Sequence, residues 1–187
     1  MEEKNQWIDA NALSLFVVVA AIICLWAFLT GRVGPELLGP LGIYLMAGGI
    51  VWVVAAIIGF RMGDMVSGTA NGFFGIILGF GVGASMLTQA LFPGAIPGTL
   101  DGWWLFAGGL AAIPIAVAAG RNVIILGVAL FNLGIYLILI GLVMAGVISL
   151  SLPGLGWQIL ASGILYLYIA TAILINTTFR RPIVPIR

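Results

Sequence analysis

Two stretches of this chain, sixty residues apart, nearly repeat each other. The first begins at Gly42 and reads Gly-Ile-Tyr-Leu-Met-Ala-Gly-Gly-Ile; the second begins at Gly102 and reads Gly-Trp-Trp-Leu-Phe-Ala-Gly-Gly-Leu. An arginine follows nineteen residues after each of these glycines, at Arg61 and Arg121. A weaker third copy, Gly-Trp-Gln-Ile-Leu-Ala-Ser-Gly-Ile, begins at Gly156. Each copy opens a long apolar segment that follows another apolar segment. The sequence therefore predicts three helical hairpins in tandem around an axis.

The chain is far too apolar for a soluble domain. Of its 187 residues, 63% are apolar and 7% are charged, whereas a soluble domain carries about 25% charged residues. Six uncharged apolar stretches are long enough to cross a bilayer. They cover residues 12–30, 39–60, 66–91, 102–120, 123–147 and 156–178. We therefore predict an all-α membrane protein with a single transmembrane domain over residues 1–187, in which six helices form three tandem hairpins around a central pore.

The same composition excludes most kinds of chemistry. Almost no sequence remains outside the spans for a soluble catalytic domain, so we do not expect an enzyme. The chain has one cysteine, Cys24, and no histidine, which leaves no donor set for a metal or haem site. We therefore expect no metal and no other cofactor. The net charge of +1 gives no reason to expect a nucleic acid as partner.

The basic residues indicate an orientation. If the N-terminus is cytoplasmic, Arg32 alone faces outward, and six basic residues face inward. The inward set is Lys4, Arg61, Arg121, Arg180, Arg181 and Arg187. Four tryptophans fall at the predicted outer helix ends, as an aromatic belt would, and Trp7 falls at the inner interface. These four are Trp26, Trp103, Trp104 and Trp157. We predict a multi-pass protein of the cell (inner) membrane with both termini in the cytoplasm.

The polar side chains inside the predicted spans are neutral. An unpaired amide in hydrocarbon costs several kcal/mol, so it must face another helix or a wet pore. Asn132 lies near the middle of the fifth span, and two interpretations stay open for it. It either bonds a neighbouring helix or lines the pore and replaces water around a small polar solute. Asn71 is similar but shallower. Together with Thr69 and Asn132 it forms the set of candidate polar pore-lining residues.

Residues 63–75 read Gly-Asp-Met-Val-Ser-Gly-Thr-Ala-Asn-Gly-Phe-Phe-Gly, and the tail from Asn176 to Ile186 contains Phe-Arg-Arg and Val-Pro-Ile. These blocks, and the spacing between them, resemble the acetate uptake transporter family, the succinate–acetate permeases. The family signature is Gly-Asn-Thr-Phe-Gly-x-Thr-Ala-Phe-x-Ser-Tyr-Gly, so Phe74 stands in place of its tyrosine. The start of the first helix also departs from the family, because it keeps Leu13 but neither proline. The chain is identified as a divergent member.

The resemblance implies six helices per protomer, a hexameric ring of protomers and one pore within each protomer. It further implies that the pore narrows at three apolar residues, one from each odd-numbered helix. By position these residues are Val18, Phe74 and Leu133. The three-hairpin pattern agrees with this arrangement, because each repeat then contributes one residue to the constriction.

We therefore expect a channel or facilitator that passes a small monocarboxylate such as acetate through an apolar constriction in each protomer. Its expected partners are the solute, the lipid bilayer and further copies of the chain. Two alternatives stay open. An amide or urea channel would use the same neutral lining for an uncharged solute, and a structural membrane subunit would conduct nothing.

Overall fold

The computed structural model describes residues 10–92 and 98–186. These residues form six helices that are long and apolar enough to cross a membrane. The helices are α1 Asn11–Leu29, α2 Leu38–Arg61, α3 Met65–Leu91, α4 Gly98–Gly120, α5 Ile124–Met144 and α6 Leu152–Phe179. A short 3-10 turn, Pro35–Leu37, precedes α2. The chain is a multi-pass membrane protein with the all-helical fold that the sequence predicts.

The structure has the six long apolar helices that the sequence predicts, and the ends of the predicted spans differ from the ends of these helices by four residues at most. The start of α6 is one of the largest differences, because this helix begins before the repeat glycine rather than at it. Pro153 lies in its first turn, where a missing backbone N–H leaves no helical hydrogen bond unmade. Ser151 caps the same end and accepts from the Gly154 N–H at 3.4 Å. Lys4, Trp7 and Arg187 lie outside the described residues.

The helices form a closed ring. Because they alternate in direction, α1 begins and α6 ends on one side of the bundle, here called the termini side, and the opposite side is the far side. Each helix packs on the helices before and after it in the chain, and α6 closes the ring against α1. The most extensive packing joins α2 to α3, α4 to α5 and α6 to α1. The two helices of each hairpin, α1–α2, α3–α4 and α5–α6, are also neighbours, but they pack less extensively.

One glycine at the same place in each repeat lets an even-numbered helix approach the next odd-numbered helix closely. These glycines are Gly49, Gly109 and Gly163. A Cβ added at the first would lie 3.0 Å from the Cα of Gly79 on α3. At the second it would lie 2.7 Å from the carbonyl oxygen of Gly134 on α5, and at the third 2.8 Å from Ile22 on α1. A larger side chain at any of these contacts would require a neighbouring helix or, at Gly163, the Ile22 side chain to shift.

The residue just before each of these glycines faces the other neighbouring helix. A Cβ added at Gly48 would lie 3.0 Å from Val17 on α1, and one at Gly108 would lie 2.9 Å from Ile77 on α3. The third copy has Ser162 at this place, and its hydroxyl donates to a backbone carbonyl of α5 at 3.3 Å. In each repeat, a doublet of small residues therefore lets the even-numbered helix pack closely against both neighbouring odd-numbered helices.

The chain beyond α6 folds back on that helix. The Asn176 side-chain amide donates to the Val184 carbonyl at 2.8 Å and accepts from the backbone N–H groups of Ile183 and Val184 at 2.7 and 2.9 Å. The Tyr168 hydroxyl donates to the Pro185 carbonyl at 2.5 Å. The two ends of the tail block that resembles the acetate uptake family are therefore in direct contact.

Gly109→Ala should destabilise the protein, because the new Cβ would meet backbone atoms of α5 that cannot rotate away. Overpacking of this kind costs about 1–3 kcal/mol, which thermal melting of the purified protein in detergent would record. Gly154→Ala is the matched control, since the nearest atom to its added Cβ is at 3.7 Å. If both variants melt at the same temperature as the parent protein, the close approach of α4 and α5 is contradicted.

Candidate functional site

Two cavities lie inside the ring, and residues from all six helices line each of them. The termini-side cavity has a volume of about 320 Å³, and the far-side cavity has a volume of about 220 Å³. Leu78 of α3 lines both. Because every helix contributes to both cavities, they lie on the axis that the three repeats enclose.

The termini-side cavity has a polar mouth at the start of α1 and α3. The Ser67 hydroxyl donates to Asn11 Oδ1 at 2.5 Å, and Asn71 Nδ2 donates to the same oxygen at 3.2 Å. The Asp64 carboxylate caps α3 by accepting from the backbone N–H of Ser67 at 2.9 Å. Asn122 also lines this cavity. A solute that enters from the termini side therefore meets both donors and acceptors of hydrogen bonds.

Farther into the ring, the lining of this cavity is apolar. Val18, Phe74 and Leu133, the three residues that the family resemblance assigns to a constriction, all line it. Each comes from a different odd-numbered helix. Phe74 and Leu133 are 6% and 2% exposed, so both are packed against their neighbours as well. The structure thus brings the three residues to one cavity.

The layer between the two cavities is short. On α5, Leu133 lines the termini-side cavity, whereas Tyr136, three residues later, lines the far-side cavity. Three residues of an α-helix rise about 4.5 Å. On α3, Leu78 alone borders both cavities. Along these two helices, the two cavities are therefore separated by only a short apolar stretch.

The far-side cavity has its own polar cluster, where α3 faces α4. The Ser85 hydroxyl donates to the Asp101 carboxylate, and Gln89 Nε2 donates to the Ser85 hydroxyl oxygen at 3.2 Å. These three side chains line the cavity together with Trp104, whose indole N–H donates to the Ile77 carbonyl at 3.3 Å. The polar groups of this mouth are therefore held in place by one another.

Helix α3 changes its winding between the two cavities. It is α-helical up to Phe74, π-helical over Gly75–Val82 and α-helical again from Gly83. The π-helical segment contains Leu78 and accepts the indole hydrogen bond of Trp104. π-Helical turns are rare and occur frequently at functional sites. Their presence here marks the layer between the cavities as the part of the ring with the least regular backbone.

The charges in the lining have one sign. Among the described residues that line each cavity, one is charged, and in both cases it is a carboxylate: Asp64 on the termini side and Asp101 on the far side. Arg32 lies over the rings of Trp26 and Trp157, with 4.2 and 5.6 Å to their centroids, and does not line the far-side cavity. The described part of the chain has no group of three or more His, Cys, Asp or Glu residues that could hold a metal ion.

Of the three polar residues expected to line the pore, Asn71 lines a cavity, and Thr69 and Asn132 line neither. Thr69 is exposed on the outer surface of α3, because two residues of helix turn a side chain about 200° away. Asn132 is turned away from the cavity in a similar way. It lies about 100° around α5 from Leu133, which lines the cavity, and its side chain points at α6.

Asn132 joins two helices. Its Nδ2 donates to the Ser162 hydroxyl oxygen at 2.7 Å and to the Gln158 carbonyl at 3.1 Å, and both partners belong to α6. Ser162 occupies the position that is glycine in the other two repeats, at Gly48 and Gly108. Of the two interpretations that the sequence leaves open for Asn132, the structure matches the interhelical hydrogen bond.

Tyr166 and Asp101 line the cavities but were not among the candidates from the sequence. Tyr166 follows Gly156 by ten residues, as Trp52 follows Gly42, and both aromatic residues line the termini-side cavity. Comparison of the repeats position by position could have found it. Asp101 stands at a predicted helix end, where a charged residue is ordinary, so its position in the sequence carried no signal.

Comparison with known proteins supports this architecture. The solved structure of the bacterial acetate channel SatP matches the chain with a TM-score of 0.83 and 21% sequence identity, over 96% of this chain and 99% of that chain. No family model and no curated protein matches the sequence. The chain therefore has the fold of that channel over nearly its whole length.

Asn132→Leu should lower the melting temperature and leave solute flux per folded protein unchanged. The substitution removes the hydrogen bonds from Asn132 to Ser162 and Gln158 of α6, and such bonds in membrane proteins contribute about 0.6 kcal/mol each on average. Phe131→Leu, at an exposed neighbouring position, controls for a change on the same helix. The measurements are thermal melting of the purified protein and flux in liposomes. Lost flux with unchanged melting would assign Asn132 to the solute path instead.

Proposed function

We propose that this chain forms a channel or facilitator for a small monocarboxylate such as acetate, with one pore inside each protomer. The observation that carries the proposal is the pair of axial cavities, each with a polar mouth, on either side of a short apolar layer. The likeness in fold to an acetate channel supports the same function. In this proposal the chain acts by selective passage and catalyses no reaction.

Val18, Phe74 and Leu133 form the constriction in this proposal. An apolar neck excludes large solutes by size and excludes strongly hydrated ones because they must shed water there. Asn71 and its hydrogen-bonded neighbours replace part of the lost hydration on the termini side. Ser85 and its neighbours do so on the far side. Selection by size and by hydration then needs no moving part.

The charges in the lining favour the undissociated acid as the species that passes. A carboxylate and an acetate anion at a separation of about 8 Å repel each other by roughly 2 kcal/mol when the effective dielectric constant is about 20. Asp101 gives the far-side cavity such a charge, and the described lining residues offer no cation to offset it. Asp64 adds a charge of the same sign on the termini side, where its exposure to water weakens the repulsion. A neutral acid meets no such repulsion and carries its own proton across.

The same lining suits a small uncharged amide, so a urea or amide channel is the second candidate. Neutral donors and acceptors at both mouths would accept a urea molecule as readily as an undissociated acid. The two candidates share the constriction and differ in the solute. A non-conducting structural subunit is the third possible outcome of the flux test.

The remaining features of the proposal concern assembly and location. By its resemblance to the acetate uptake family, the chain would form a hexameric ring in which each protomer keeps its own pore. The excess of basic residues at Arg61, Arg121 and Arg180 supports an orientation with both termini in the cytoplasm and the far side facing outward. The membrane would be the cell (inner) membrane.

The test is solute flux in liposomes that contain the purified protein, with protein-free liposomes as the background. Osmotic swelling with acetate and with urea is measured in parallel. We expect acetate to enter faster than the background and faster than urea. At constant total acetate, the protein-dependent rate should rise as the pH falls, because the fraction of undissociated acid rises.

Each outcome has a distinct meaning. Fast urea entry without acetate entry would show that the solute is a small amide and not a monocarboxylate. If neither solute enters faster than the background, the chain would instead be a structural subunit that conducts no solute. Acetate entry that follows the anion concentration instead of the acid concentration would keep the channel and contradict the neutral species.

Phe74→Ala should widen the range of solutes that pass, because it removes a large ring from the proposed constriction. The rates of propionate and butyrate entry should rise relative to that of acetate. Phe80→Ala, on the same helix but at a 37% exposed position, should leave these ratios unchanged. If Phe74 only fills the core, its truncation costs about 3–5 kcal/mol of stability. A folded Phe74→Ala protein with unchanged selectivity would therefore remove Phe74 from the constriction.

A further inference from the structure

Tyr166 has an unusual position for a polar side chain. It lies in the middle of α6, is 1% exposed, and lines the termini-side cavity together with Val18, Phe74 and Leu133. Its hydroxyl oxygen is buried and has no hydrogen-bond partner among the described residues. The other described buried side-chain atom without a partner, the indole nitrogen of Trp26, belongs to a residue that lines neither cavity.

A buried hydroxyl without a partner is costly relative to a phenyl ring of the same shape. The other two buried residues with polar side-chain atoms that line this cavity are paired. Trp52 donates its indole N–H to the Ser14 carbonyl at 3.0 Å, and the Ser14 hydroxyl donates to the Asn11 carbonyl at 2.9 Å. Of these three buried residues, Tyr166 is therefore the one whose polar group is unpaired.

The repeats make the exception clearer. Ten residues after the opening glycine of each copy stand Trp52, Ala112 and Tyr166. All three are buried. Ala112 has no polar side-chain atom, and the indole of Trp52 is already bonded to Ser14. Of these three equivalent positions, one keeps a hydrogen-bonding group available, and it lies beside the apolar residues at the neck.

We infer that the Tyr166 hydroxyl is the group that binds the solute at the constriction, by donating a hydrogen bond to its carbonyl oxygen. The inference rests on the proposed channel function and adds a specificity-determining residue to it. A hydroxyl both donates and accepts, so it can pair with the C=O and with the O–H of an undissociated carboxylic acid. Solutes with a carboxyl or amide group are favoured, because a solute without such a group leaves the hydroxyl unpaired at the neck.

The test compares Tyr166→Phe with the unsubstituted protein in liposomes. The substitution keeps the ring and removes the hydroxyl, so the melting temperature should stay the same or rise. Acetate entry should fall about tenfold, which corresponds to about 1.4 kcal/mol and matches one hydrogen bond. Tyr168→Phe is the matched control on the same helix. Its hydroxyl bonds the tail at Pro185 outside the cavities, so its removal should leave acetate entry unchanged.

The outcomes separate this inference from the proposed function. Acetate entry through Tyr166→Phe at the rate of the unsubstituted protein would overturn the role of Tyr166 and leave the channel intact. A fall in entry that only matches a fall in melting temperature would do the same, because it would show a packing role. If the unsubstituted protein admits no acetate above the background, both the channel and the role of Tyr166 are overturned.

Discussion

The close approach of even- and odd-numbered helices at three doublets of small residues fixes the dimensions of the ring. In lipid, helices gain little from the hydrophobic effect when they associate, so close packing of backbones has to hold them together. The second residue of each doublet, such as Gly49 against Gly79, faces the following helix, and the first, such as Gly48 against Val17, faces the preceding one. Each even-numbered helix is held between two odd-numbered helices, and large side chains find room toward lipid or toward the axis.

The axis follows from this arrangement. Because the doublets lie near the middle of the even-numbered helices, the ring is tightest there, and side chains such as Phe74 and Leu133 fill the space beside them. Polar side chains are found nearer the helix ends, where Asn11 and Asp101 can reach water and hydrogen-bonding neighbours. An apolar layer between two cavities with polar mouths is therefore what the packing produces, and it is also what a filter for small, weakly hydrated solutes requires.

The sequence contains enough to predict the spans and the repeat, because both depend on long-range features: uncharged length and a glycine pattern that recurs. It also predicts that Asn132 needs a partner. It does not give the direction in which a side chain points, since a helix that is apolar on all sides has no face to fix its rotation. Asn132 and Leu133 are adjacent, yet one meets α6 and the other lines a cavity. Thr69 and Asn71 separate in the same way.

The third repeat departs from the pattern of the other two, and its departures concern two neighbouring turns of α6. Ser162 replaces a glycine of the doublet and is bonded by Asn132, so this difference is absorbed by packing. Tyr166, one turn later, brings a hydroxyl that no described neighbour pairs. A ring with strict threefold symmetry would present the same group three times at its axis, and a single small solute could satisfy only one of them. The departure of α6 from the pattern of the other repeats avoids that conflict, because a single hydroxyl beside an apolar neck can pair with a single carbonyl group.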